Sequence, residues 1–124
     1  MGRVVCMAAK DELGKRGENL AAEHLVASGY EVVERNWRCS HGEIDIVATI
    51  GNELVFVEVK TRSTVAFGHP LEAITAQKLS RLRRLAVAWC QAHPGAHERI
   101  RIDVIAIIAP THGLIEIEHL ERVF

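Results

Sequence analysis

The chain carries almost no net charge: 15 Lys and Arg residues stand against 16 Asp and Glu, a formal −1. That balance excludes a polycationic, tail-driven binder, so any affinity for nucleic acid has to come from a local patch. Cysteine is scarce. Cys6, Cys39 and Cys90 are odd in number, far apart and in no CxxC pattern. This excludes a disulfide framework and a thiolate zinc site, and reads as free thiols in a reducing compartment. Aromatic residues make up 5%, with no cluster on which single-stranded bases could stack. No apolar run approaches the roughly 18 residues of a membrane helix. The stretch from Val4 to Ala9 is too short for a signal-peptide core, and Lys-Asp-Glu-Leu at 10–13 is internal, so it is no retention signal. These absences lead us to expect a cytoplasmic protein with no membrane partner. There is no GxSxG, P-loop or dinucleotide fingerprint. The seven histidines are scattered, and Pro94-Gly95 spoils the helical i,i+4 ligand geometry between His93 and His97.

What is present is ordinary globular composition, 48% hydrophobic and 25% charged over 124 residues, enough for one core and one domain. Residues 1–124 are read as that single domain, with about ten residues of N-terminal extension. A helix is expected from Asp11 to Ser28, with Asp11 as N-cap and Gly29 as terminator. Gly14 and Gly17 each weaken it by about 1 kcal/mol relative to Ala; close approach to a sheet is one reason to keep a glycine there. Strands follow at Tyr30–Arg38, Glu43–Ile50 and Glu53–Arg62, turning at His41-Gly42 and Gly51-Asn52. A long helix is expected from Leu71 to His93, then strands at Arg99–Ala109 and Leu114–His119. The order α-β-β-β-α-β-β specifies an α/β fold, a mixed sheet flanked by helices.

The hairpin at 42–62 is the most informative segment. A two-residue Gly51-Asn52 turn pairs Ile50 with Glu53, and counting back along both strands sets Asp45 opposite Glu58 and Glu43 opposite Lys60. The same register places Ile44, Ile46 and Ala48 against Val59, Val57 and Val55 on one apolar face, which is what fixes a register. Facing carboxylates destabilise a bare sheet, by roughly 3 kcal/mol at an effective dielectric near 20. A divalent cation with hard oxygen ligands offsets that cost. Lys60 points to the same side as Glu58 and could orient an attacking water or stabilise charge on a phosphate oxygen. The plainer alternative is a Glu43–Lys60 cross-strand ion pair beside a solvated Asp45. Glu18 shares a helix stripe with Ala21, Ala22 and Leu25 and so flanks the buried face; it is either a snorkelling edge residue or an acid serving the same metal pocket.

Charge is strongly segregated. Residues 60–84 hold Lys60, Arg62, Lys78, Arg81, Arg83 and Arg84 against Glu72, a local +5 that leaves −6 for the rest of the chain. On the second helix Leu71, Ile74, Leu82, Leu85 and Trp89 form the expected core stripe, with Gln77, Arg81 and Arg84 along one polar flank. Lys78 falls at the start of the apolar stripe, where a cation either snorkels or reaches the acidic pocket. Such a basic stripe is either a solvated face or a set of phosphate-backbone contacts, which position nucleic acid without reading its sequence. Asp103, in an apolar strand, reads as structural.

With these positions in hand, the sequence resembles the YraN family of uncharacterised, predicted bacterial endonucleases. The resemblance rests on Gly-Lys-Arg-Gly-Glu (14–18), Arg-Asn-Trp-Arg (35–38), Gly-Glu-Ile-Asp (42–45), Phe-Val-Glu-Val-Lys-Thr-Arg (56–62) and Phe-Gly-His-Pro (67–70). It implies the PD-(D/E)xK, restriction-endonuclease-like fold, similar to archaeal Holliday-junction resolvases, with Mg²⁺ or Mn²⁺ as cofactor. It further implies Asp45 and Glu58 as metal ligands, Lys60 as the catalytic lysine and Glu18 as the helix acid near the metal. Gln77 or Lys78 would supply an auxiliary polar residue. Ile44 stands where the superfamily name has proline, a position whose side chain the chemistry does not need. The expected activity is hydrolysis of DNA phosphodiesters, with branched or damaged DNA as candidate substrates, Arg62, Gln77, Lys78, Arg81 and Arg84 on the backbone, and a homodimer by analogy with resolvases. The competing expectation is an inactive nucleic-acid-binding or assembly module that keeps the fold.

Overall fold

The computed structural model describes residues 9–66, 68–95 and 99–123. Most of the expected N-terminal extension, together with Cys6, Phe67 and His97, lies outside them. Helix α1 (Ala9–Ala27) leads into strands β1 (Glu31–Cys39), β2 (Gly42–Ile50) and β3 (Glu53–Arg62). A 3₁₀ turn (Pro70–Ala73) precedes α2 (Ala76–Ala92), and β4 (Arg99–Ile108) and β5 (Glu116–Leu120) complete the chain. The α-β-β-β-α-β-β order is as read from the sequence. The five strands lie in the order β1-β2-β3-β4-β5. All neighbours are antiparallel except β3 and β4, which are parallel and joined through α2, so the sheet is mixed.

Each face of the sheet is covered by one helix. On the α1 side, Ala21 and Leu25 pack with Tyr30, Ile46, Ala48, Val55, Val57, Ile105 and Ile107. On the other side, Leu82, Leu85, Ala86 and Trp89 of α2 pack with Ile44, Val47, Leu54, Phe56 and Ile102. Residues 54–57 are therefore apolar without alternation because both of their faces are buried. Full burial of each large side chain contributes about 1.5–3 kcal/mol.

Helix ends depart from the sequence expectation for local reasons. Helix α1 reaches back to Ala9, which puts Asp11 in the first turn instead of at the cap, still favourable against the helix dipole. Gly29 ends it as expected: at φ 95° it lets the Tyr30 N–H bond back to the Leu25 carbonyl at 2.9 Å, a Schellman-type closure. The expected continuous helix over 71–93 is two pieces. Ile74 is extended, and Thr75 caps α2, its hydroxyl accepting the Lys78 N–H at 3.2 Å. Leu71 and Ile74 accordingly belong to the turn and not to the helical stripe.

A polar network, absent from the sequence reading except for a structural Asp103, ties the far end of the sheet together. Arg101 is 5% exposed and Asp103 fully buried. The guanidinium holds both Asp103 oxygens at 3.0 and 2.9 Å, Glu53 at 2.9 Å, and the Tyr30 hydroxyl. Burial alone would raise the Asp103 pKa, but hydrogen bonds from His119, Arg101 and the Arg122 N–H hold it below the ordinary carboxylate range. His119 bonds Asp103 through Nε2 at 2.7 Å and His24 through Nδ1 at 3.2 Å, linking α1 to β4 and β5. Removing one partner of such a buried pair costs about 3–5 kcal/mol, because the other is left uncompensated.

Three substitutions test this packing. A Cβ on Gly17 would sit 1.8 Å from the Thr61 Oγ1 and under 3.0 Å from its Cβ and Cγ2, so no Thr61 rotamer clears it. Gly17→Ala should lower stability by about 1–2 kcal/mol net of the gain in helix propensity, with Thr61→Gly restoring most of it in the double variant. Gly14→Ala, with open space around it, should stabilise by up to about 1 kcal/mol; denaturant unfolding checks both. Burial and then the neighbouring His119 push the His24 pKa down. The folded state therefore binds that proton less well, and stability is lost as pH falls below about 6.5. The advantage in Tm of wild type over His24→Gln should shrink between pH 7.5 and 5.5; a constant difference would refute the assignment.

Candidate active site at the splayed end of the hairpin

The β2–β3 ladder follows the expected register, Ile50↔Glu53 through Ile46↔Val57, and stops there. Beyond that pair the strands open, and the Asp45 Oδ2 accepts the Val59 backbone N–H at 2.9 Å. Asp45 and Glu58 still come together: their carboxyls hydrogen-bond to each other. Burial, reinforced by the Glu58 charge and opposed by the Val59 N–H, pushes Asp45 up to about 8. Burial also raises Glu58, against the pull of its hydrogen bond to Asp45 and of Arg81, Lys78 and Lys60. Both carboxyls are thus pushed toward the protonated form, by burial first in each case.

The opening of the hairpin ends the expected pairings of Glu43 with Lys60 and Ile44 with Val59. Glu43 lies opposite Arg38 of β1 and binds its Nε at 2.8 Å, which removes the cross-strand Glu43–Lys60 ion pair as an explanation for Lys60. Ile44 packs on the α2 side whereas Ile46 packs on the α1 side, so side-chain alternation reverses at Asp45. The sequence pattern, which put Ile44 on the same face as Ile46, missed that reversal.

Glu18 approaches from α1. Its carboxylate is 19% exposed and 4.0 Å from the Arg35 guanidinium. Burial first, then Asp45 and Glu43, raises its pKa, while Arg35 and a hydrogen bond from Asn36 lower it. Asn36 was visible in the sequence only as part of the Arg-Asn-Trp-Arg block. Two clefts flank Glu18: one of about 450 Å³ lined by Lys60, Arg62, Ser63 and Thr64, the other of about 620 Å³ lined by Asn19, Arg35, Asn36 and Glu43. Among the described residues, no three His, Cys, Asp or Glu side chains close into a metal-binding group.

The basic residues separate by position. Lys60, Lys78 and Arg81 lie close enough to act electrostatically on Glu58; Lys78 is half-buried and Arg81 exposed. Gln77 and Arg84 are exposed on α2, and Arg62 ends β3, its Nε buried with no hydrogen-bond partner. These three cations come from two elements, β3 and α2, and all lower the pKa of the half-buried Glu58 through their charge.

Comparison with known proteins gives this arrangement a family. A 117-residue stretch is 55% identical to a UPF0102 protein of Beutenbergia cavernae, covering 94% of this chain and 99% of the relative. Another UPF0102 protein, from Clavibacter michiganensis, is 53% identical over 112 residues, 90% of this chain and 95% of the relative. The model described as "Uncharacterised protein family UPF0102" matches residues 17–107, a span that contains Glu18, Asp45, Glu58, Lys60 and the cations of α2. The chain therefore belongs to family UPF0102.

Proposed function

We propose that the splayed end of the hairpin is the active site of a divalent-metal-dependent nuclease that hydrolyses DNA phosphodiesters. The observation that carries this reading is the half-buried Asp45–Glu58 carboxyl pair, with Asp45 held by the Val59 N–H and with Lys60, Lys78 and Arg81 close enough to act on Glu58. Two hard oxygen donors whose mutual repulsion a dication would relieve fit Mg²⁺ or Mn²⁺. Asp45 and Glu58 would hold it, with Glu18 beside them. When bound, the cation would polarise a phosphate oxygen and make a water more acidic.

The chain's own residues do the rest. Lys60, on the same face of β3 as Glu58, holds the attacking water and stabilises charge on a phosphate oxygen. Lys78 and Arg81 bring the substrate phosphate against the carboxylates, and Arg62, Gln77 and Arg84 hold the flanking backbone without reading bases. A second reading, a non-catalytic nucleic-acid-binding module, is favoured by the lack of a three-ligand cluster among the described residues.

A dication competes with protonation of Asp45, so affinity should rise with pH up to about 8. Calorimetric titration with Mn²⁺ at pH 6 and pH 8 should give tighter binding at pH 8, and none for Asp45→Ala. Without metal the sign reverses. An acid raised in the folded state stabilises below its ordinary range and loses that contribution as pH rises toward 8. Metal-free Asp45→Asn should therefore melt higher than wild type at pH 8, by about 4 °C or more.

Activity is tested on single-stranded, duplex, flap and four-way-junction DNA and on RNA, with Mg²⁺ or Mn²⁺. Cleavage of DNA should fall by at least about 100-fold in Asp45→Ala and Lys60→Ala. Cleavage that survives both substitutions would place the chemistry elsewhere. Metal-independent binding of DNA with no cleavage would select the non-catalytic reading.

A further inference from the structure

Asn36 is at φ 55°. Of the two non-glycine residues at positive φ among those described, it alone lies within a strand. Asparagine tolerates this left-handed conformation better than most residues, but inside a strand it breaks the alternation of side chains. The β1–β2 register runs through Arg35↔Ile46 and Trp37↔Ile44, leaving Asn36 across from Asp45 with no ladder pair between them. Both strands reverse there. Arg35 bonds Asn19 on the α1 side at 2.8 Å while Trp37 packs on the α2 side, matching the reversal between Ile46 and Ile44. The Asn36 side chain also donates a hydrogen bond to Glu18.

From the left-handed backbone of Asn36 and the paired reversal across from it, we infer that Asn36 is a positioning residue for the carboxylate site. Its backbone turns β2 so that Asp45 leaves the ladder toward Val59 and Glu58, and its amide holds Glu18 at the same end. It touches neither substrate nor metal in this role. The inference deepens the nuclease reading and rests on it for the site's purpose, but the Asp45–Val59 contact can be measured without metal.

The test compares Asn36→Gly, which keeps access to positive φ, with Asn36→Ala, which does not. Native-state hydrogen exchange of the Val59 amide is read against the Val55 and Val57 amides of the same protein, so that loss of global stability is separated from local release. Relative to those amides, Val59 exchange should speed up about tenfold or more in Asn36→Ala and stay within about threefold of wild type in Asn36→Gly. Mn²⁺ affinity should fall about tenfold or more in Asn36→Ala, the size seen when residues that orient metal ligands are lost. Val59 exchange that follows the other amides in Asn36→Ala, or equal release in both variants, would overturn the inference. A wild type that takes up no Mn²⁺ would refute the metal reading, while the Val59 comparison still decides whether Asn36 aims Asp45.

Discussion

Two carboxyl groups share one end of a hairpin, and most of the molecule's unusual features answer their mutual repulsion. Adjacent charged carboxylates in a half-buried setting are opposed by a few kcal/mol. The fold meets this with the Val59 N–H turned onto the Asp45 carboxylate and three cations brought to Glu58 from β3 and α2, while burial favours the protonated form of Asp45. None of these is a packing solution. The apolar core on either side instead fixes the sheet rigidly enough for the opposition to persist.

The satisfied polar groups centre on β4 and β5, and the mismatched acids lie on β2 and β3. Around Arg101 and Asp103 each charge has its partners: Glu53 is shared with Arg122 at 2.6 and 2.8 Å, and His119 completes Asp103. Around Asp45 and Glu58 the charges are mismatched, acid against acid, with proton affinities displaced upward. Sites that bind or react are commonly those that break local rules, while satisfied networks secure the frame.

Much of this was legible in the chain, and the limits have physical causes. Turn chemistry at Gly51-Asn52 and a two-residue apolar period were enough to place the β2–β3 register as far as Ile46 and Val57. The break at Asp45 was not legible, because it depends on the backbone state of Asn36 in the neighbouring strand, and that choice costs too little to show in composition. The interruption at Ile74 and Thr75 was hidden for a related reason: Leu71 and Ile74 continue the helical spacing although a threonine cap restarts the helix after them. Close approach to the sheet, expected at Gly14 or Gly17, holds at Gly17, where Thr61 requires it, and not at Gly14. The Arg101 network is not legible because its members are spread from His24 to Arg122 and meet only when α1 packs against the assembled β3, β4 and β5.

The connection between β3 and β4 has a consequence for the order in which these charges meet. β2 and β3 are neighbours in sequence, so a hairpin that closes in microseconds already holds both acids. Lys78 and Arg81 sit in the crossover, and they are brought into place only as the parallel β3–β4 pairing closes, a non-local and therefore slower event. Until α2 docks, Lys60 is the one of these three cations that the hairpin itself carries, and the acids still in water lack the burial that raises their proton affinity. Closure of the β3–β4 pairing is thus also the step that buries the acid pair and brings Lys78 and Arg81 to it.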